Sequence, residues 1–244
     1  MKFRKALVFQ IISFFLVLSG CARPVNRAVE RQIRRALPDL LGSAKVYHVH
    51  VDGAPGRTIS GRLSHVLIEG EDIQPVGGGP LIDQLTLNMH GVVFDTKSHQ
   101  LRKMESANFK AVFGQDSLNL YLVGETADNP DLTDIRLKFG SGNLVSLMGK
   151  RVTLGVGVPF QITGPLRITG AMRLELDPKH LSIIGIALPD RLTYFLKSHL
   201  EQAIDLSRID LPIRVTAISA EPGKLILTGD VDMSKLQEWE RRPL

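Results

Sequence analysis

The strongest constraint on the fold is a run of strict alternation between Val152 and Leu176. Val152, Leu154, Val156, Val158, Phe160 and Ile162 take every even position, against Thr153, Gly155, Gly157, Pro159, Gln161 and Thr163. After Gly164-Pro165, which reads as a turn, Leu166, Ile168, Met172, Leu174 and Leu176 alternate with Arg167, Thr169, Arg173, Glu175 and Asp177. A period of two with one apolar face describes antiparallel strands, and the short connection makes them neighbours. Each would run about 35–40 Å at about 3.3 Å per residue, and the glycines and proline inside mark bends or bulges. Such a sheet must cover its apolar side.

The rest of the chain repeats the theme. Val46 to Val51, Thr58 to Ile68, Leu81 to Phe94 and Leu101 to Phe113 read as strands, as do Leu211 to Ile218 and Lys224 to Met233. A helix is expected from Val25 to Leu41, with Val25, Val29, Ile33, Ala36, Leu37 and Leu40 on one face and Arg27, Arg31, Arg34 and Arg35 on the other. Pro38 kinks or ends it, and Gly42 is a stop signal. A short helix begins at Asp116 and carries Leu118, Tyr121 and Leu122, and Thr126 to Thr133 is a loop. A second amphipathic helix spans Asp190 to Ser207. The expected class is therefore α+β: a long, strongly curved antiparallel sheet wrapped around one or two amphipathic helices, with an apolar trough between them.

The N-terminus reads as a processing signal. Lys2, Arg4 and Lys5 precede an uncharged run, Ala6 to Leu18, which falls short of the roughly 20 residues that span a bilayer. Leu18-Ser19-Gly20-Cys21 resembles the lipobox of bacterial lipoproteins, where a thiol is required because a thioether to diacylglycerol forms on it. The expected organisation is a lipoprotein signal peptide over 1–20, a lipidated tether over 21–24, one domain over 25–233 and a charged tail over 234–244. Cys21 is the only cysteine, so no disulfide staples the fold. Loss of Lys2, Arg4 and Lys5 lowers the formal charge from +5 to +2, which weakens any case for a nucleic-acid partner.

No nucleophile elbow, P-loop or dinucleotide-binding glycine motif is present, and neither an enzymatic activity nor a cofactor is expected. His48 and His50 share a strand face with His65 near, but solvated histidines on a polar sheet face account for the pattern and no metal is expected. Asp128 and Asp131 flank a proline in a turn. The arginines of the first helix, Arg27, Arg31, Arg34 and Arg35, follow directly on the anchor and are candidates to face lipid headgroups, each cation contributing about 1 kcal/mol against an anionic leaflet.

The closing segment carries a resemblance. Leu211-Pro212-Ile213-Arg214-Val215, followed by Pro222-Gly223-Lys224-Leu225 and Gly229, is similar to the ending of the LmeA-like phospholipid-binding family, and so are Val158-Pro159 leading into paired strands and Leu188-Pro189 opening a helix. The resemblance covers about Val25 to Val231, and the family's usual Asp-Gly turn is here Pro222-Gly223. It implies a tubular lipid-binding-like fold, phospholipid acyl chains as ligand, and no catalysis. On this reading Val152, Leu154, Val156, Val158, Phe160, Ile162, Leu166, Ile168, Met172 and Leu174 line the groove of an exported envelope lipoprotein held to a bacterial membrane, facing the periplasm or cell exterior, through Cys21. The competing reading is a non-catalytic envelope scaffold whose filled sheet docks a partner protein.

Overall fold

The computed structural model describes residues 22–94, 101–127, 130–153, 155–169, 173–176, 180–182 and 213–231. The signal segment, Cys21, Asp128, the expected helix over Asp190 to Ser207 with Leu188-Pro189, and the tail over 234–244 lie outside them. The elements are α1 (Ala22–Leu40), β1 (Gly42–Ser43), β2 (Val46–Asp52), α2 (Pro55–Ile59), β3 (Arg62–Pro75), β4 (Ile82–Phe94), β5 (Leu101–Lys103), β6 (Ser106–Gly114), α3 (Gln115–Thr126), β7 (Leu132–Phe139), β8 (Leu144–Thr153), β9 (Val156–Thr169), β10 (Arg173–Leu176), β11 (His180–Ser182), β12 (Ile213–Glu221) and β13 (Lys224–Val231).

The larger sheet has the order β1-β3-β4-β6-β13-β12, with β2 also paired to β3 and β5 to β4. The smaller has the order β10-β9-β8-β7, with β11 on β9. Every pairing is antiparallel. Both sheets are open and apolar on one side, and their buried residues form one continuous core. β3 and β9 are 14 residues long, or about 45 Å at full extension.

Three strand expectations are corrected. Gly164-Pro165 is not a turn: both residues lie within β9, opposite Val145 and Leu144 of β8. The chain reverses instead between Thr153 and Val156, where Gly155 has φ +77°, a conformation glycine adopts without steric cost, and again between Thr169 and Arg173. Thr58 and Ile59 belong to the helical turn α2, begun by Pro55, and the strand starts only at Arg62. The expected strand from Leu101 is broken at Met104–Glu105 into β5 and β6.

Three cross-strand pairs of the same kind shape the sheets. Tyr47 lies opposite Gly70, Phe109 opposite Gly229, and Phe160 opposite Gly149. A methyl on any of these glycines would stand within 3 Å of its partner's ring. Each ring is buried over the bare backbone of the neighbouring strand, the arrangement by which aromatics compensate for strand glycines at curved positions.

The sheet edges are covered by side chains. Glu30 of α1 accepts the N–H of Val51 on β2 at 3.1 Å. Asn119 of α3 forms a two-way amide bridge to Leu137 of β7, accepting its N–H at 2.6 Å and donating to its carbonyl at 3.0 Å, while Gln115 accepts the N–H of Phe139 at 3.0 Å. Asn143, at the β7–β8 turn, accepts the Ala220 N–H of β12 at 2.8 Å through its side chain and the Leu166 N–H at 3.3 Å through its carbonyl, tying the two sheets together.

Two glycine-to-alanine substitutions should move stability in opposite directions. The Cβ of Gly229→Ala would meet the Arg214 carbonyl at 2.0 Å and the Phe109 ring at 2.7 Å, so urea unfolding should show a loss of about 1–3 kcal/mol. Gly124 lies in α3 with open space around it, and Gly124→Ala should gain up to about 1 kcal/mol.

Candidate functional site

The register of the larger sheet sets its inner side chains in transverse rows. One row runs Val51, Val66, Met89, Ala107; the next Val49, Ile68, Leu87, Phe109, Gly229, Val215; the next Tyr47, Gly70, Leu85, Ala111, Leu227, Ile218. The outer face of the same strands carries Glu69, Gln84, Asn88, Asn108 and Lys110.

In each row the β4 residue is less covered than its neighbours on β3 and β6. Val51, Val66, Ile68, Phe109 and Leu227 are all buried, at 7% exposure or less. Leu85, Leu87 and Met89 of β4, on the same face between them, are only half-buried. Below them Gly91 turns to φ +60°, Val92 is buried and Phe94 is again half-buried. The half-buried apolar stripe of β4 is therefore Leu85, Leu87 and Met89, about 14 Å of strand, since Val92 and Phe94 continue the register of Asn88 and His90. Phe94, at the end of the strand, lines a cavity of about 380 Å³ together with Pro24, Val25, Ala28, Val29, Gln32, Thr58 and Ile59, a volume at the small end of ligand pockets.

The first helix fits the expected face in part. Leu37 is buried and Val25, Val29 and Ile33 are half-buried, whereas Ala36 and Leu40 are exposed. The helix starts at Ala22 and contains Pro38 in its last turn. Arg27, Arg31, Arg34 and Arg35 are all exposed.

The expected groove residues do not form one row. The reversal between Thr153 and Val156 pairs Val152 with Gly157, so Val152 lies on the opposite face from Val158, Phe160, Ile162, Leu166 and Ile168. The physical reason is the turn: a two-residue connection, here Leu154-Gly155, sets even positions of β8 against odd positions of β9. Phe160, Ile162 and Leu166 are packed in the core at 3–4% exposure, Val158 and Ile168 are half-buried, and Val156 at the hairpin tip is 64% exposed. Leu174 is in register with Ile168, and Leu154 and Met172 lie outside the described residues. Sequence reasoning missed the β4 stripe because its alternation, Leu85-Thr86-Leu87-Asn88-Met89, is short and interrupted at Gly91.

The polar clusters are surface networks. His50 and His65 both reach Asp52, at 3.2 Å each; His50 also approaches Glu30 at 3.6 Å, and His65 bonds to Asn88 and stacks on His90 with centroids 4.8 Å apart. His48 enters none of these contacts, and among the described residues no group of three or more His, Cys, Asp and Glu is arranged to hold a metal. Asp131 is exposed, its backbone carbonyl accepting the Val152 N–H. At the far end of the rows Tyr47 donates to the Gly42 carbonyl at 2.7 Å, and burial pushes its phenol up to about 12.

A curved antiparallel sheet with an apolar inner face, half-covered along its middle strand, defines a class of fold that can hold an elongated apolar ligand against a sheet. The chain belongs to the LmeA-like phospholipid-binding family, whose model matches residues 20–230. No curated protein and no solved structure matches it.

Because the folded-state phenol holds its proton above the unfolded value of 10.0, its contribution is complete below pH 10 and lost as pH rises through about 12. Tyr47→Phe should flatten this alkaline fall in urea-unfolding stability, at the cost of about 1 kcal/mol near neutrality for the lost hydrogen bond.

Proposed function

We propose that the protein is a lipid-anchored envelope protein that binds phospholipid acyl chains along the inner face of β4, for lipid transport or envelope maintenance. The observation that carries this is the half-buried stripe of Leu85, Leu87 and Met89 between buried neighbours on β3 and β6. From Leu85 to Met89 it spans about 14 Å, close to the roughly 15 Å that an acyl chain occupies in one leaflet. An alkyl tail gains about 0.8 kcal/mol for each methylene removed from water, so a lining of this kind compensates a chain for leaving the bilayer. Family membership supports the ligand class. Val158 and Ile168, half-buried on the smaller sheet, are the expected groove residues that fit an extension of this lining.

The anchor belongs to the same reading. Cys21 stands one residue before α1, and a diacylglyceryl thioether there would hold α1 and its exposed arginines Arg27, Arg31, Arg34 and Arg35 at a membrane surface. No helix among the described residues is long and apolar enough to cross a membrane.

Native mass spectrometry of the full chain, extracted under mild conditions from the membranes of its host, should show one or two phospholipids bound. Leu87→Gln, which sets an amide against the tail, should lower occupancy about tenfold, while Lys110→Gln on the outer face should not. Wild-type protein free of lipid would sink the trough and favour the scaffold.

The anchor is tested separately. Intact-mass analysis of the membrane-extracted protein should show a chain beginning at a diacylated Cys21, and Cys21→Ser should abolish that species and leave the leader uncleaved.

A further inference from the structure

We propose that the end of the larger sheet formed by the first turns of α1, by α2 and by the last residue of β4 is a mouth that rests on the lipid surface of a membrane and passes acyl chains to the sheet. This rests on the trough reading above and adds a direction to it.

Three independent features single out this end. The first is the cavity, which opens between Val25, Val29, Ile59 and Phe94 at the end of β4. Beside it Ile59 is 66% exposed, a large apolar side chain at the rim of an apolar hollow. A lipid interior gives it the cover that the protein does not.

The second is charge. The exposed cations at this end include Arg27 on α1, Arg57 on α2, Arg62 at the start of β3 and Lys103 on β5; Arg62 and Lys103 both flank Val93. Its carboxylates include Glu30, which accepts the Val51 N–H, Asp52, engaged by His50 and His65, and Glu105. The opposite end of β3 and β4 carries Glu71, Asp72, Asp83 and Asp116, with Lys45 near the first two, Lys224 opposite Gly114, and Arg34 and Arg35 on the half of α1 that leads to Gly42. The cavity end sets its exposed cations beside the apolar hollow, where an anionic leaflet would attract them.

The third is chain connection. α1 begins at Ala22, the residue after Cys21. At 1.5 Å per residue, Pro24 of the cavity wall lies about 3 Å along the helix from Ala22. Whether a chain enters from a host lipid or from the cysteine's own acyl groups, the chemistry at the mouth is the same.

The experiment places a single tryptophan at three sites of the full chain, each in a Trp239→Phe background: Ile59→Trp at the mouth, Asp116→Trp at the opposite end, and Lys110→Trp on the outer face. The proteins are reconstituted on phosphatidylcholine vesicles with about one-third phosphatidylglycerol, carrying brominated acyl chains. Fluorescence of the Ile59→Trp protein should shift to the blue and be quenched at least several-fold more than that of the Lys110→Trp or Asp116→Trp protein, and less so without phosphatidylglycerol. Equal quenching at the three sites, or none at the mouth, overturns the proposal. So does a blue shift of the Ile59→Trp protein that rises with protein concentration without lipid, which would make this surface a contact between copies of the chain. Ile59→Asp should slow transfer of a fluorescent phosphatidylglycerol from vesicles about tenfold, and an unchanged rate overturns the mouth.

The two readings fail separately. Lipid bound in the native mass spectrum, with the Ile59→Trp protein unquenched, removes the mouth and leaves the trough. Quenching of the Ile59→Trp fluorescence on a protein that never carries lipid removes the trough and leaves a membrane-facing surface. Sulfhydryl-free Cys21→Ser protein distinguishes the lipid sources: quenching that persists when it is added to vesicles assigns the mouth to host lipid.

Discussion

Three rings laid over three glycines determine how these sheets can bend. An aromatic side chain on a flat strand stands upright and takes its volume from the space above the sheet. Opposite glycine it can fold across the neighbouring backbone, as Tyr47 does over Gly70, Phe109 over Gly229 and Phe160 over Gly149. The ring then supplies apolar cover to a strand that has no side chain of its own, and the missing Cβ lets the two strands close toward one another. Two of the pairs lie in the larger sheet, on either side of β4, and one in the smaller. Between the first two, the inner face of β4 is the floor of the concavity.

Among the described residues, α1 and α3 are engaged elsewhere. An open sheet leaves unpaired N–H and C=O groups at its margins, and these invite pairing with other chains. Here α1 lies against β2 with Glu30 on the Val51 N–H, and α3 lies against β7 with Asn119 and Gln115 standing in for a further strand. Asn143 does the same between β12 and the smaller sheet. Side chains that close edges are held at the margins, so among the described residues α1 and α3 lie along the borders of the sheets rather than over Leu85, Leu87 and Met89.

Much of this was legible in the sequence, and what was not has definite causes. Alternation in Val46 to Val51 and Leu81 to Phe94 placed β2 and β4 within a residue, because one buried face leaves a period-two trace. The same pattern misled at Val152 to Leu176, since a hairpin of two residues preserves the look of alternation while exchanging faces between its strands. Gly-Pro reads as a turn on composition alone, yet Gly164 and Pro165 extend β9 opposite Val145 and Leu144. Thr58 and Ile59 looked like the start of a strand by their β-branched side chains, but Pro55 at the head of α2 overrode that preference. Edge closure by Asn119 and Glu30 was invisible, because a single polar residue on a helix carries no record of the strand it will meet.

The candidate groove moved from β9 to β4 for a related reason. Regular alternation identifies an apolar face but not what lies against it, and the residues with the clearest pattern, Phe160, Ile162 and Leu166, are packed into the core. A face meant for a ligand must be apolar and yet left partly open by its own chain. On β4 the outer positions Gln84, Thr86 and Asn88 are polar, and the inner positions Leu85, Leu87 and Met89 carry large alkyl groups. Leaving each of them partly exposed forgoes up to about 1 kcal/mol of burial. Their neighbours Val66, Ile68 and Phe109 on β3 and β6, at 7% exposure or less, show that this backbone can seal its apolar side. An apolar stripe left partly open in the middle of the sheet is thus the feature on which the proposed acyl-chain trough rests, and a hydrocarbon neighbour would complete its burial.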